Sequence, residues 1–295
     1  MRILVAIPHF YKPNGGFYGS QRADPQPRID ALVQCMAALH QNFGPRQGLL
    51  DPPRRCLYET NQANSAQLDI VLCTTGGDHL IPALPGNLFR QNETAAQPML
   101  LGYEAHAVLR DGVGRYDWYC YMEDDILVAD PMFFDKLGWF LSLAGERAVL
   151  QPNRYEVSTD DRIHKLYIDA NLAKPELSQP YQDITQRPKI EGKVFNRRVA
   201  FQRVNNPHAG CFFLNQAQMR KFAAQDYFLD RSDAFAGALE SAATLGIMRC
   251  FETYKPSREN ADFLEIGHIH RRYVGRYVVF EEGAPWRFKV VRPTD

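Results

Sequence analysis

Residues 118–122, Trp-Tyr-Cys-Tyr-Met, form an apolar, aromatic run that ends in three consecutive carboxylates, Glu123, Asp124 and Asp125. Such a run predicts a strand covered on both faces. Adjacent anions repel and raise one another's pKa, so three acids at the tip of a core strand call for a neutralising cation or for donors on a ligand. Oxygen donors of this kind suit hard divalent ions, Mg2+ or Mn2+. Turn chemistry alone accounts for Asp130 and Pro131, as N-cap and first helical residue, but leaves the triplet unexplained.

The preceding chain alternates around that strand. Residues 3–7 and 68–73 are apolar runs that read as buried strands. Between them Ile29, Leu32, Val33, Met36 and Leu39 recur at helical spacing, with Gly44 as a stop. Pro98 opens a second helix with Met99, Leu100, Tyr103, Ala107 and Val108 inward. Strand, helix, strand, helix, strand specifies right-handed crossovers and a parallel sheet. Ligands bind beyond the carboxyl ends of such strands, so the loop after the first strand, with Pro8, His9, Tyr11 and further aromatic residues, is placed to stack a nucleotide base.

Beyond the triplet, Phe133, Phe134, Leu137, Phe140, Leu141 and Ala144 mark a helix, and 148–150 a short strand. Residues 152–198 are polar, proline-punctuated and without a clear period, which predicts a long insertion that covers the site or holds an acceptor. A strand over 199–204 follows, then Asn215 as the cap of a helix over 216–224. A helix over 235–245, stopped by Gly246, carries Glu240 among alanines, either on a solvent face or in a pocket that raises its pKa. Residues 247–254, 263–269, 273–280 and 286–291 read as strands, and His268 and His270 would share a face near Glu265 and Arg271.

The chain of 295 residues can bury one full core, and 34 basic against 34 acidic residues argue against a general nucleic-acid surface. Six cysteines without a C-x-x-C pair suggest reduced core thiols and a cytoplasmic protein. No run approaches the ~20 apolar residues of a membrane span, although peripheral membrane contact stays open.

The apolar strand, E-D-D, short apolar link and D-P-x-F-F helix over 116–140 resemble the D-x-D region of GT-A-fold nucleotide-sugar glycosyltransferases, most closely the inverting N-acetylglucosaminyltransferase I type. The resemblance implies a single α/β domain, a GT-A-like (Rossmann-like) mixed, mainly parallel sheet flanked by helices. Residues 1–150 would bind the nucleotide-sugar and 151–295 the acceptor and the catalytic base. It implies a metal-dependent hexosyltransferase using a nucleotide-sugar, UDP favoured, and a glycan, lipid-linked or small-molecule acceptor. Asp125 would ligate Mn2+ or Mg2+ directly, Glu123 through a water, and Asp124 would orient ribose or sugar. A late histidine, His268 before His270, would join the metal. Gly102, His106 and Arg110 would line the donor pocket, with His208 and Gly210 near the sugar. Glu240 would be the inverting base, with Asp233 and Asp230 behind it, and Lys255, Arg271 or Arg272 would add charge at the diphosphate.

Other chemistries share some of these parts. A retaining transferase would need no such base. A metal-dependent phosphohydrolase or nucleotidyltransferase would be expected to carry a second set of metal carboxylates. A glycoside hydrolase could draft Glu123 and Glu240 without metal, and a non-catalytic nucleotide-sugar-binding protein would use the pocket alone.

Overall fold

The computed structural model describes residues 1–16, 18–160, 163–269 and 272–274. In chain order, β1 (Arg2–Pro8) leads to α1 (Gln26–Phe43), a hairpin of β2 (Gly48–Asp51) and β3 (Cys56–Glu59), β4 (Gln67–Thr75), β5 (Arg90–Thr94), α2 (Leu101–Asp111) and β6 (Trp118–Met122). Next come β7 (Ile126–Leu127), α3 (Phe133–Ala144), β8 (Ala148–Leu150), β9 (Asn153–Asp160), β10 (Ile163–Tyr167), β11 (Lys189–Val194) and β12 (Arg197–Arg203). The last described elements are β13 (Cys211–Asn215), α4 (Gln216–Ala223), α5 (Ala238–Cys250), β14 (Glu252–Pro256) and β15 (Glu265–His268).

The central sheet has the order β13-β6-β1-β4-β5. Its pairs are parallel except for β13 against β6, so the architecture is α/β with a mixed, mainly parallel sheet. Side-chain alternation along β1 and β6 builds two cores. Ile3, Val5, Ile7, Trp118, Cys120 and Met122 face α1 and α3, while Leu4, Ala6, Tyr119 and Tyr121 face α2, α4 and α5. A strand buried on both faces has no polar alternation to show, which is why these runs are continuous in sequence.

Two smaller sheets, β10-β9-β15-β7 and β11-β12-β14-β8, complete the described structure. β7 leaves the acidic triplet directly and pairs with β15, His268 opposite Ile126, while the Ile269 amide donates to the Asp125 carbonyl at 3.0 Å. β15 also pairs with β9, Ile266 opposite Arg154. That register carries late residues back to the triplet.

Several expectations are corrected. Residues 152–198 contain β9, β10, β11 and the start of β12 in place of a structureless insertion. The covered positions of β9 are Arg154 and Glu156, so its alternation is carried by charge and escapes a hydrophobic period. Gly246 does not end α5, because the helix runs on to Cys250 and the strand begins only at Glu252. A Cβ on Gly246 would lie 2.7 Å from the Phe222 ring, so this glycine serves close packing of α5 on α4. α2 starts after a 3-10 turn at Pro98–Leu100, whose tighter winding shifts the phase. Leu101, Tyr103, Ala105 and Leu109 face inward, and Met99 is exposed. α3 starts at Phe133, with Asp130 accepting the Met132 amide at 2.9 Å in the entry turn and not capping the helix.

The strand expected over 263–269 is confined to β15, with a 3-10 segment before it. The strands expected over 273–280 and 286–291 lie, apart from residues 273 and 274, outside the described residues. Among the described residues no helix is long and apolar enough to cross a membrane. All six cysteines are unbridged, Cys35, Cys73, Cys120 and Cys211 being buried.

Candidate active site

Beyond the carboxyl ends of β1 and β6 the structure opens into a cavity of about 600 Å³. This is where an α/β sheet exposes its strand-end loops to ligands. Pro8 and the triplet form its floor. Arg28 of α1, Gly102 of α2 and Glu240 in the first turn of α5 line it from the helices. Arg154, His208, His268, Arg272 and Tyr273 close the remaining side.

The three acids have three environments. Asp124 is 2% exposed and is held on both oxygens. Oδ2 lies 2.7 Å from His9 Nδ1, and Oδ1 accepts from Arg28 Nη2. The Leu80 amide donates to His9 Nε2 at 3.2 Å, which assigns the proton to Nδ1 and makes His9 the donor to Asp124. Asp125 Oδ2 accepts from Arg28 Nη1 at 3.2 Å and lies 3.8 Å from His268 Nε2. Burial opposes the charge on Arg28, but the two aspartates outweigh it and the guanidinium is held more firmly protonated.

Glu123 has a different setting, its Oε2 3.7 Å from Arg154 Nη1. Its side chain keeps 27% of its surface open, yet burial raises the carboxyl to about 7 against the pull of Arg154. Gly210 packs against it. This residue has φ of 64°, and a Cβ there would sit 2.5 Å from Glu123 Oε2. The backbone closes the contact, with the Glu123 amide donating to the Gly210 carbonyl at 2.9 Å.

Behind these groups lies a buried charge network. Arg154 grips Asp169 through Nε and Nη2, the latter at 2.7 Å, and Lys255 Nζ reaches Asp169 at 3.1 Å. Burial alone would raise Asp169, but Arg154 and Lys255 hold it well below the usual carboxylate range. Burial and the neighbouring Arg154 lower His208 to about 3, and its Nδ1 is 2.8 Å from Thr244 Oγ1. His268 Nδ1 meets the fully buried Glu156 at 2.8 Å. Burial works against protonation of His268, but the Glu156 hydrogen bond and Asp125 raise its pKa on balance. Glu156 also accepts the backbone amides of Arg272, Tyr273 and Val274.

No family model matches this chain, and no curated protein matches it. Solved structures do. A crystal structure of GalNAc-T7 with UDP, GalNAc and Mn2+ superposes with a TM-score of 0.45 at 12% identity, covering 91% of this chain and 43% of that one. The crystal structure of S. aureus TarS gives a TM-score of 0.44 at 7% identity, covering 88% of this chain and 35% of that one. This chain spans less than half the length of either.

Of the residues singled out in the sequence, Pro8, Gly102, Glu123, Asp124, Asp125, His208, Glu240, His268 and Arg272 share the cavity wall. His9 stands behind Asp124. The Tyr11 hydroxyl is turned to the Arg22 carbonyl at 2.7 Å. Arg110 is exposed at the far end of α2 and pairs with Asp111. His106 is buried, its Nε2 2.8 Å from the Ala242 carbonyl, in a cluster with Tyr103, Tyr121, Phe212 and Phe222. Asp230 pairs with Arg249, Asp233 is exposed, Glu265 pairs with Lys165, and Lys255 acts behind the wall on Asp169. His270 and Arg271 lie outside the described residues. Arg28, Arg154, Glu156 and Asp169 went unnoticed in the sequence because each is one charge in a polar or amphipathic stretch, joined to its partner only by the fold.

The donor set admits a divalent cation in one way. Asp125 and His268 offer an oxygen and an imidazole nitrogen side by side. Glu156 behind His268 fixes the ring as carboxylates do for ligating histidines. Among the described residues no group of three or more His, Cys, Asp or Glu side chains converges. Asp125 and His268 are the residues that would hold a cation here, the rest of its shell being left to phosphate and water. Arg28 already supplies one positive charge to the acid pair and so offsets part of the repulsion within the triplet.

Proposed function

We propose that this chain is a metal-assisted glycosyltransferase of GT-A-like type, moving a sugar from a nucleotide-sugar, UDP-linked in preference, to an acceptor hydroxyl with inversion. One observation carries the reading: Asp125, Glu240 and His268, far apart in sequence, line a single cavity at the carboxyl end of the sheet. Asp125 and His268 would hold a Mn2+ or Mg2+ ion, with Asp124 beside them orienting ribose or sugar. The bound cation would supply Lewis-acid stabilisation of the diphosphate leaving group.

The chain's own residues do the rest. Pro8 and Gly102 border the donor, so residues 1–150 supply its nucleotide side. Glu240, in the first turn of α5, makes no hydrogen bond or ion pair among the described residues and lines the cavity. It is free to accept the acceptor's proton as that oxygen attacks the anomeric carbon. Residues after 150 supply this face, and the acceptor belongs to the glycan, lipid-linked or small-molecule class.

The test is release of nucleoside diphosphate from a panel of UDP-, GDP-, CDP- and ADP-sugars, with Mn2+ and with EDTA. Metal-dependent release from one nucleotide class is expected. Release that survives EDTA and Asp125→Ala would contradict the reading.

A further inference from the structure

We propose that the β11–β12 hairpin is a membrane-docking tip: the Phe195 ring enters the interface of an anionic phospholipid bilayer, while Lys193, Arg197 and Arg198 hold its headgroup phosphates. The inference is independent of the transferase chemistry proposed above.

The tip is unfavourable for the free protein in three respects. Val194 pairs with Arg197 across a two-residue turn, Phe195-Asn196, whose φ values are 44° and 63°. Asparagine and glycine suit a turn with both φ positive, and a bulky side chain there is strained. Phe195 is also 74% exposed, the most open of the large apolar side chains among the described residues. Lys193 stands directly opposite Arg198 in the ladder, and like charges so placed repel. Lys193, Arg197 and Arg198 are all exposed and have no ion pair among the described residues. The neighbouring acid, Glu191, is engaged by Lys189 at 2.5 Å. An apolar, negatively charged surroundings would relieve the exposure and the repulsion together.

The stem gives the tip a fixed stance. Ile190, Val199 and Phe201 are buried in the core. Gly192 lets α3 come close, since a Cβ there would lie 2.7 Å from the Trp139 ring and 2.8 Å from Leu143 Cδ2. Beyond this packing the ring is at the apex and the cations lie one and two rungs behind it, about 3–7 Å along the strands. Apolar groups at a bilayer interface sit about 5–10 Å into the boundary of headgroups and acyl chains, so this spacing leaves the cations level with phosphate. Successive rungs face opposite sides, which puts Arg197 on one face of the ribbon and Lys193 with Arg198 on the other. A flat protein partner or an acidic polymer lying along the ribbon meets one face. A bilayer surrounds the tip and neutralises both.

The experiment measures flotation of the full chain with vesicles of phosphatidylcholine alone and of phosphatidylcholine mixed with phosphatidylglycerol, and binding to soluble inorganic polyphosphate. Wild type should float with the mixed vesicles and not with phosphatidylcholine alone. The double variant Lys193→Ala, Arg198→Ala should bind the mixed vesicles about thirtyfold more weakly, the scale of losing two cations near an anionic surface. Phe195→Gly, which suits the positive φ and so keeps the fold, should bind at least about tenfold more weakly, the scale of losing a buried aromatic side chain. Wild type that stays off the mixed vesicles would overturn the proposal. Full binding by Phe195→Gly would also overturn it, leaving only electrostatic adsorption, and polyphosphate bound as tightly as vesicles would replace the bilayer with an acidic polymer.

Discussion

His9 Nδ1 donates to Asp124 Oδ2 across 2.7 Å while its Nε2 accepts the Leu80 amide, so one buried ring ties the loop after β1 to the tip of β6. The histidine fixes a carboxylate; it does not reach the cavity itself. His9→Ala should cost about 1–3 kcal/mol of stability, the range for leaving a buried polar group unpaired. It should also weaken nucleotide binding roughly tenfold. His9→Asn, whose amide can donate from near the Nδ1 position, should restore most of the affinity. Melting curves and titrations of both variants check this, and full affinity in His9→Ala would mean that Asp124 needs no tether.

Gly210 gives a sharper structural test. At its φ of 64° an alanine would be strained, and the Cβ would lie 2.5 Å from Glu123 Oε2, so the Glu123 side chain would have to move. Gly210→Ala should destabilise by about 1–3 kcal/mol through overpacking and strain, with Glu123 displaced. Glu123→Ala in the same background should recover part of the loss. Additive losses in the two variants would show that the contact is slack.

Glu240→Gln keeps the shape of the side chain but cannot take a proton. Turnover should fall about 10²–10⁴-fold, while nucleotide affinity holds. Full turnover in Glu240→Gln would remove it as the base and favour a retaining route.

His106 sets a pH dependence remote from the chemistry. Burial lowers it to about 4 against the hydrogen bond to Ala242, so the unfolded chain binds the extra proton between about 6.5 and 4. Stability from this group is complete above 6.5 and drains as pH falls through that window, by roughly 3 kcal/mol at its lower end. His106→Phe, in a pocket of aromatic rings, should lose this slope. Parallel melting profiles of the two proteins would contradict the assignment.

The elements legible in the sequence are those whose burial is apolar. β1, β4 and β6 are continuous runs, α1 and α3 show stripes, and Asn215 caps α4 as expected, with Gln218 completing a capping box that the structure adds. β9 was opaque because its inward positions are Arg154 and Glu156, which pay for burial with partners many residues away. Within the site the triplet announced itself by charge density, and Glu240 by its place among small residues. Arg28 could not be read, because an arginine near the start of an amphipathic helix is ordinarily a solvent residue. Only the packing of α1 against β4 and β7 puts it on Asp124. His268 acquires its place from the β7–β15 register, which no local pattern encodes.

The most direct test of the central claim is a calorimetric titration of the folded protein with UDP, GDP, CDP and ADP, each with Mn2+ and with EDTA, in wild type and Asp125→Ala. Selective binding of one nucleotide that disappears with EDTA and in Asp125→Ala is the expected result. Binding indifferent to metal, or no binding of any of the four, would contradict it and leave Asp124, Asp125 and Arg28 as an ion-paired cluster that only holds α1 to the sheet.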